Sequence, residues 1–485
     1  MSTPLPKNDL TSFLTCRNRS KWTNPQVWQS LVKANLHISK TDDNPPSPSL
    51  DPAPTENSTE TDPSLRKCII QDGYALVPRY PSDTQLIFNL ADGITQLHKN
   101  HSLPATFILL FDEAWHLASS TITQTMSQTT HPVNQFNFDI LAWYIDPSEG
   151  ISGFSPHRDR QPPNHLVKES FHSDGQAKYV TLWTALSHAT PENSCLYVIP
   201  KDCDPGYLKG DDLEQGDGGN LVEAGDEDKC EDDNINRQDP LTRCLSSKES
   251  YQNIRALPRE PGESVAFTHR ILHWGSTGHK NCTNLPRIAI SFVSSDPSFE
   301  RPYLKKYEKY WAQEIMQQNP SSKGIVLPPF EIRLLLVCAQ LLIYHQRFNL
   351  PKDTIRACYE YCKEWKDELD DGYWKKVSLE FVKGMREMTI SKGGDVQEIE
   401  KSEIKGMNEK DFDDSDEDDE DDALLEAMLE NADEAEDDFD DMIDGEEEGS
   451  ISEGRNDEYD FESSDEDEEC NLFGSNEPQT KKRKV

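Results

Sequence analysis

Two residues in the segment SPHRDR, His157 and Asp159, have the types and spacing of a metal-binding pair. On a β-strand, residues at positions i and i+2 point to the same face, so this H-x-D pair would present both side chains together. A histidine from a distant strand would complete a 2-His-1-carboxylate face. Such a face leaves positions open on an octahedral ion and is typical of non-haem Fe(II) oxygenases. The best candidate for the third ligand is His273 in FTHRILHWGS, which follows the strand-like run SVAF.

Spacing alone leaves other interpretations of this pair open. H-x-D is a short pattern that occurs by chance, and the chain holds a second example at His172 and Asp174. A surface turn beside basic residues would explain His157 and Asp159 equally well, and a satisfied core histidine would explain His273.

Three further histidines compete for the ligand positions. His172 could replace His157, but it lies shortly before the strand that begins near Lys178. His269 and His279 compete with His273, and His269 would fall on the same strand face without the H-x-G-S context. We interpret all three, His172, His269 and His279, as non-ligands.

An arginine follows the distal histidine and opens another strand-like run. Arg287 begins RIAISF, 14 residues after His273. A guanidinium binds a carboxylate through two parallel hydrogen bonds, so a buried arginine beside such a site suits a dicarboxylate.

Four separated motifs in this order resemble the phytanoyl-CoA dioxygenase family. They are QDGYALVP (71–78), VTLWTALSHATPENSCLYVIP (180–200), PGESVAFTHRILHWGS (261–276) and PRIAISF (286–292). The resemblance covers about 67–300, apart from an acidic insertion that is not a family feature. It implies a double-stranded β-helix that uses Fe(II), with 2-oxoglutarate and O₂ as co-substrates.

The resemblance also implies roles for individual residues. His157, Asp159 and His273 correspond to the iron ligands, and Arg287 to the partner of the far carboxylate of 2-oxoglutarate. Trp183 and Ser276 lie near positions that line the co-substrate. The implied reaction hydroxylates an unidentified substrate and releases succinate and CO₂; the retained Asp159 argues against halogenation.

Hydrophobic periodicity predicts a fold that is mainly β with α. Short strand-like runs separated by turn residues predict an all-β sandwich or barrel, flanked by helices and followed by a helical C-terminal region and disordered acidic segments. The family resemblance implies that this core is a double-stranded β-helix (jelly-roll). IIQDGYALVP is predicted to be strand-like, with a D-G turn inside it. The predicted parts are an N-terminal segment (1–37), a disordered linker (38–66), the dioxygenase domain (67–302) with an acidic insertion loop (208–252), a helical region (303–390) and a disordered acidic tail (391–485).

The net charge of −40 is concentrated in two segments. Residues 411–470 hold 33 acidic residues and one base, and residues 211–235 hold 11 acidic residues and one base. Blocks of like charge repel themselves and often serve as interaction tails. The 11 scattered cysteines and the absence of signal-like opening residues predict a reducing compartment. No apolar run is long enough for a membrane span.

The terminus QTKKRKV resembles a monopartite nuclear localisation signal through Lys481, Lys482, Arg483 and Lys484. It predicts a nuclear protein, with a cytoplasmic share left open, and a nuclear import receptor as partner. The acidic tail, with aromatic residues in EDDFDD and EYDFE, could dock basic nuclear proteins such as histones. Direct nucleic-acid binding is not expected because the tail repels phosphate. The alternative to an enzyme is a catalytically inactive nuclear interaction protein that acts through this tail; in either case the substrate, whether small molecule or protein, is unspecified.

Overall fold

The structure is a computed structural model that describes residues 13–39, 63–80, 83–212, 239–282, 286–311, 326–348 and 350–390. Most of the predicted linker, most of the acidic insertion and the whole acidic tail with its basic end lie outside the described residues.

Two antiparallel sheets form the centre of the protein. A five-stranded sheet has the order β1-β6-β3-β8-β2, and a three-stranded sheet has the order β5-β4-β7. The strands are β1 Tyr74–Val77, β2 Gln135–Ile145, β3 Tyr179–Ala185, β4 Leu196–Ile199, β5 Arg255–Leu257, β6 Ser264–Thr268, β7 Leu272–Gly275 and β8 Arg287–Ser295. This arrangement of antiparallel sheets, with flanking helices, agrees with the predicted jelly-roll class.

The alternation of side chains along β3 shows how the layers are built. Trp183 and Ala185 point into a core shared by the two sheets, together with Phe267 of β6 and Val198 of β4. Leu182, one position away, points to the opposite face and packs against the helix that precedes β1. All seven residues of β3 are buried because both faces of the sheet are covered.

Helices precede and follow the strands along the chain. The α-helices are α1 Arg19–Trp22, α2 Pro25–Leu31, α3 Pro63–Asp72, α4 Thr84–His101, α5 Asp112–Thr121, α6 Ser127–Thr129, α7 Pro240–Cys244, α8 Glu308–Trp311, α9 Phe330–Ile343, α10 His345–Phe348, α11 Lys352–Glu364 and α12 Asp371–Ile390. A π-helical turn, Ile122–Met126, joins α5 to α6. None of the helices in the described ranges is both long enough and apolar enough to cross a membrane.

The helical C-terminal region packs directly on the edge strand β2. Helix α9 is apolar on nearly all sides and buried, as its sequence predicts. Its one uncharged polar side chain, Gln340, donates from its amide to the carbonyl of Ile140 and accepts from the Thr106 hydroxyl at 2.5 Å. The buried ion pair of Arg333 with Asp112 fixes the same helix to the start of α5.

Two local predictions differ from the structure. Residues Ile69–Asp72, predicted as strand, form the end of α3, and the strand begins only at Tyr74 after Gly73 with φ +84°. The helix starts at Pro63, inside the predicted linker, because Ile69 packs against Ala75, Val77 and Leu182 on the outer face of the sheet.

The predicted insertion loop 208–252 is also partly structured. Its last part forms α7 and a 3-10 turn at Glu249–Asn253. Leu241, Cys244 and Leu245 pack against Leu272 on the outer face of the three-stranded sheet, so apolar burial orders this end of the segment.

Candidate metal centre

The structure brings together the three side chains that the sequence predicts as metal ligands, His157, Asp159 and His273. One ligand atom from each lies within 4.8 Å of the others. Asp159 Oδ1 is 3.5 Å from His273 Nε2 and 3.8 Å from His157 Nε2. In the part of the chain that the structure describes, no other group of three or more histidine, cysteine or acidic residues has this geometry.

A two-residue antiparallel bridge holds the two histidines side by side. The backbone amides and carbonyls of His157 and His273 exchange two hydrogen bonds, each 3.0 Å long. Nearby, the amide of Gly275 donates to the carbonyl of Phe154 at 3.0 Å. The segment that carries His157 therefore extends the three-stranded sheet beyond β7.

Both imidazole rings have the same hydrogen-bonding arrangement. Nδ1 of His157 lies 2.8 Å from the carbonyl of Ser155, and Nδ1 of His273 lies 3.1 Å from the carbonyl of Ile271. A carbonyl only accepts, so these contacts place a proton on Nδ1 and leave the lone pair on Nε2. Backbone carbonyls commonly fix metal-ligating histidines in this way.

The carboxylate of Asp159 is held from the five-stranded sheet. The hydroxyl of Thr181 on β3 donates to Asp159 Oδ2 at 2.6 Å, which leaves Oδ1 toward the two histidines. Burial alone would raise the pKa of Asp159, but His273, His157 and Thr181 outweigh burial and lower it. Burial, together with the charge of His157, lowers the pKa of His273 to about 4. A charged carboxylate and a neutral imidazole are the forms that bind metal.

Arg158, which lies between the two ligands in the sequence, places its guanidinium in a buried ionic cluster. Its guanidinium bonds Asp211 at 2.8 and 3.0 Å and Asp204 at 2.5 and 2.9 Å. Arg270 also reaches Asp211, at 3.2 Å. Asp211 belongs to the first described residues of the acidic insertion, and Arg243 at the other end donates to the carbonyl of Gly210 at 2.8 Å. The described ends of the insertion therefore lie beside the segment that carries His157 and Asp159.

Arg287 at the start of β8 is buried without a carboxylate partner among the described residues. Its side chain is 4% exposed, its Nε has no hydrogen-bond acceptor, and its guanidinium carbon lies 5.5 Å from the ring centre of Trp183. Burial lowers its pKa to about 10. A buried unpaired cation is costly, so this guanidinium fits an anionic ligand that enters the cavity.

Two glycines leave space beside this arginine. A Cβ on Gly275 would lie 2.9 Å from the Cα of Gly153 and 3.5 Å from a terminal nitrogen of Arg287. Any other residue would therefore separate the two backbones or crowd the guanidinium. Ser276, the next residue, does not line the cavity; its hydroxyl lies 3.5 Å from the carbonyl of Pro191 and accepts from the amide of Gly278 at 3.3 Å.

The candidate ligands, Arg287 and Trp183 line one cavity of about 190 Å³. The sequence did not single out several other residues of its wall. Thr181 lies two positions before Trp183, so the alternation of side chains along a strand could have predicted that it lines the cavity. Tyr344 comes from the C-terminal helices, and no local sequence pattern indicated its position at the cavity. The wall also includes Asp139, Leu141, Trp143, Phe154, Arg160, Tyr179, Ser291 and Val293.

The competing histidines lie in other environments. His172 bonds Asn134 at 3.0 Å and stacks on His131 with ring centres 3.8 Å apart. His269 is fully buried and bonds Ser170 Oγ at 2.8 Å. His279 is exposed, and none of the three belongs to the metal-ligand group.

Facing antiparallel sheets around a His-Asp-His group are the architecture of an iron- and 2-oxoglutarate-dependent oxygenase. Residues 62–288, just under half of the chain, match the family described as Phytanoyl-CoA dioxygenase (PhyH). The suggested resemblance is thereby confirmed. No curated protein matches the chain.

Several solved structures resemble part of the chain. The non-heme alpha ketoglutarate dependent epimerase SnoN from nogalamycin biosynthesis is 17% identical over 48% of this chain and 80% of its own, with a TM-score of 0.31. The carbocyclase SnoK from the same biosynthesis is 14% identical over 50% and 85%, with a TM-score of 0.28. The non-heme monooxygenase ThoJ in complex with Ni is 12% identical over 48% and 77%, with a TM-score of 0.30. Their substrates are not carried over to this chain.

Proposed function

We propose that the protein is an Fe(II)- and 2-oxoglutarate-dependent dioxygenase that hydroxylates a substrate still to be identified and releases succinate and CO₂. The observation that carries this proposal is the convergence of His157, Asp159 and His273 in the cavity that also holds the unpaired Arg287. The family match over residues 62–288 supports it independently.

The donor set suits Fe(II). His157 and His273 would bind through Nε2, because each Nδ1 is engaged with a carbonyl. Asp159 would bind through Oδ1, because Thr181 holds Oδ2. Two imidazoles and one carboxylate leave three positions of an octahedral ion for co-substrate and O₂. Bound Fe(II) with 2-oxoglutarate and O₂ supplies the oxidising chemistry, in which 2-oxoglutarate becomes succinate and CO₂.

The remaining wall residues bind and shield the co-substrate. Arg287 would bind the carboxylate of 2-oxoglutarate that lies away from the metal, through two parallel hydrogen bonds. Trp183, whose ring lies beside that guanidinium, would exclude water from the ion pair and strengthen it. Ser276, whose hydroxyl is directed to the turn at Gly278, has no part in this proposal.

The test is metal content and succinate release by the full-length protein and by His157→Ala. We expect wild type to bind one Fe(II) and to convert 2-oxoglutarate to succinate slowly even without a substrate. His157→Ala should lose both properties. His172→Ala, in the second H-x-D pair, is the matched control and should retain them. Iron binding that is equal in wild type and His157→Ala would contradict the proposal.

We further propose, from the sequence alone, that the protein enters the nucleus through Lys481–Lys484 and binds basic nuclear proteins through its acidic tail. The support is the KKRKV cluster and the 33 acidic residues in 411–470. Replacing Lys482 and Arg483 by alanine should shift a fluorescent fusion to the cytoplasm, and unchanged localisation would contradict the import proposal. Residues 405–472 should retain histones better than a scrambled tail of equal composition, and equal retention would leave only nonspecific charge.

A further inference from the structure

The cavity wall holds a carboxylate that the proposed iron chemistry does not use, that of Asp139. Asp139, Leu141 and Trp143 alternate along β2 and all line the cavity. Arg287 pairs with Ile145 at the far end of the same strand, whereas Phe292 pairs with Ile140 beside Asp139. The two positions are five residues apart on β8, a distance of roughly 17 Å along the strand. The backbone of Asp139 is thus well separated from that of Arg287, the proposed 2-oxoglutarate partner.

A β-bulge directs Asp139 toward the cavity. The register between β2 and β8 shifts between Phe136 and Ile140, and Phe138 inside the shift has φ +68°. A bulky residue in this left-handed region is strained, and such strain persists only where surrounding contacts impose it. Phe138 is held by ring contacts with Phe136 at 5.1 Å and Trp311 at 6.0 Å. Bulges beside active sites commonly re-aim a side chain in this manner.

The carboxylate of Asp139 is only partly satisfied within the described residues. The hydroxyl of Tyr179 lies 3.2 Å from Oδ2. The hydroxyl of Tyr303 also lies 3.2 Å from Oδ2, but it is closer to Glu300, at 2.8 Å, and has one proton to donate. Oδ1 has no hydrogen-bond donor in the described chain, although the side chain is only 10% exposed. A ligand in the cavity could supply that donor.

The nearest cation is already committed to other acceptors. Arg160 lies 3.7 Å from Asp139 Oδ2, but it forms two bonds to Glu300 at 2.5 and 2.6 Å and donates to the carbonyl of Asp159 at 2.7 Å. Lys376 on α12 acts on Asp139 from a distance and forms no ion pair with it. Glu300 balances Arg160, so the only cations near Asp139 are Arg160 at 3.7 Å and the more distant Lys376, and neither donates a hydrogen bond to its carboxylate within the described residues.

The size of the cavity limits what can reach this carboxylate. Its volume of about 190 Å³ is below the roughly 300–1,000 Å³ of common small-molecule pockets. The ring of Tyr344 from the C-terminal helices lies 5.8 Å from Trp143 and 6.2 Å from Phe154 and closes this part of the wall. With 2-oxoglutarate bound at Arg287, the remaining space suits a short group rather than a long acyl chain.

We infer that Asp139 is a substrate-binding residue whose Oδ1 accepts hydrogen bonds from a protonated primary amine on a short aliphatic group. This inference rests on the proposed function, since it names the class of substrate for the same cavity. The ion pair would place the adjoining carbons of the substrate between the Asp139 wall and the candidate ligands. The competing interpretation gives Asp139 only a structural role, as an acceptor for the hydroxyls of Tyr179 and Tyr303.

The test compares probe binding to the metal-free, full-length protein by ligand-observed NMR. The probes are n-butylammonium and n-butyrate, which differ in charge and share a chain length. All proteins compared carry Arg287→Met, so that n-butyrate cannot bind the unpaired guanidinium in the same cavity. We expect the Arg287→Met protein to bind n-butylammonium at least tenfold more tightly than n-butyrate. Adding Asp139→Asn should abolish that preference, and adding Asp92→Asn on the exposed face of α4 should retain it. A preference for n-butyrate in the Arg287→Met protein, or an unchanged preference after adding Asp139→Asn, would overturn the inference.

Two further variants separate recognition from folding. Asp139→Glu keeps the charge, so it should preserve a preference for the amine; a loss equal to that in Asp139→Asn would indicate a structural role and contradict the inference. If Asp139→Asn is unfolded by circular dichroism, Asp139→Ser supplies the neutral variant. Fe(II) binding by wild type is measured separately. Its absence would refute the proposed function while Asp139-dependent amine binding stood, and the reverse result would refute only the inference.

Discussion

Arg158 and Arg287 are both buried at about 5% exposure or less, yet their surroundings are opposite. Arg158 is bonded to Asp204, Asp211 and the carbonyl of Arg270. Burial would lower its pKa, but the two carboxylates outweigh burial and raise it. Arg287 has no carboxylate partner in the described chain, and burial lowers its pKa to about 10.

The two arginines illustrate two functions of a buried cation, one in stabilising the folded protein and the other in binding an anionic ligand. A guanidinium with its full set of acceptors stabilises the folded protein, and removing it would leave Asp204 without a cation in the interior and Asp211 with Arg270 alone. A guanidinium without acceptors costs stability in the free protein, and that cost is recovered only when an anion binds. Burial alone would not distinguish the two residues; their partners do.

The largest effect should come from Arg158→Met. It leaves Asp204 buried without a cation and Asp211 paired with Arg270 alone, which costs about 3–5 kcal/mol of unfolding free energy. Urea denaturation followed by circular dichroism measures the loss. Arg79→Met, at an exposed position away from the cluster, should change stability little. A loss below about 1 kcal/mol for Arg158→Met would remove the distinction between the two arginines.

Arg287→Met should preserve stability and weaken the binding of 2-oxoglutarate. Its stability should equal or exceed that of wild type, because an unpaired buried charge is replaced by an apolar chain. The dissociation constant for 2-oxoglutarate should rise roughly 100-fold, which corresponds to about 2.7 kcal/mol. Calorimetric titration of the Mn(II)-loaded protein measures it. Unchanged affinity would show that another residue binds the far carboxylate.

The ionic cluster should also affect acid stability through His269. Burial, together with the neighbouring Arg270, lowers the pKa of His269 to about 3. The unfolded chain takes up this proton below about pH 6.5 and the folded chain does not, so stability is lost as pH falls from 6.5 toward 3. Between pH 7 and pH 5 this histidine should account for about 2 kcal/mol of lost stability. Urea denaturation at both pH values measures the loss, and a His269→Gln variant with the same pH dependence would contradict the assignment.

The smallest effect should come from Asp211→Asn. Arg158 then keeps Asp204, and both Arg158 and Arg270 exchange a charged acceptor for a neutral amide, which should lower the free energy of unfolding by about 1.5 kcal/mol. Thermal unfolding measures the change, with Asp92→Asn as the matched control. If Asp211→Asn were as harmful as Arg158→Met, the cluster would act as one unit rather than as separable pairs.

The metal centre could be predicted from the sequence because its residues obey strand geometry. His157 and Asp159 are two positions apart, and His273 and Arg287 fall within recognisable strands. Asp139 and Tyr344 could not be predicted in the same way. The first depends on a bulge in the pairing of β2 with β8, and the second on packing of the C-terminal helices against the sheet.

Elsewhere, tertiary packing overrode local preference. The β-branched pair Ile69 and Ile70 suggested a strand, but Ile69 belongs to a helix that covers the sheet. The acidic insertion looked structureless because its composition is polar. Only the contact of Leu241 and Cys244 with the sheet orders its end, and that contact requires knowledge of the fold.

Tyr344 lies beyond the family-matched segment 62–288, whereas all three candidate ligands lie inside it. Part of the cavity wall is therefore encoded outside the stretch that encodes the candidate ligands. Mutation in the last third of the chain can change which molecules are admitted while the coordinating residues stay fixed. Such a division would let the same oxidation reaction act on a new substrate after changes in the last third of the chain. Protein engineers could use the same approach.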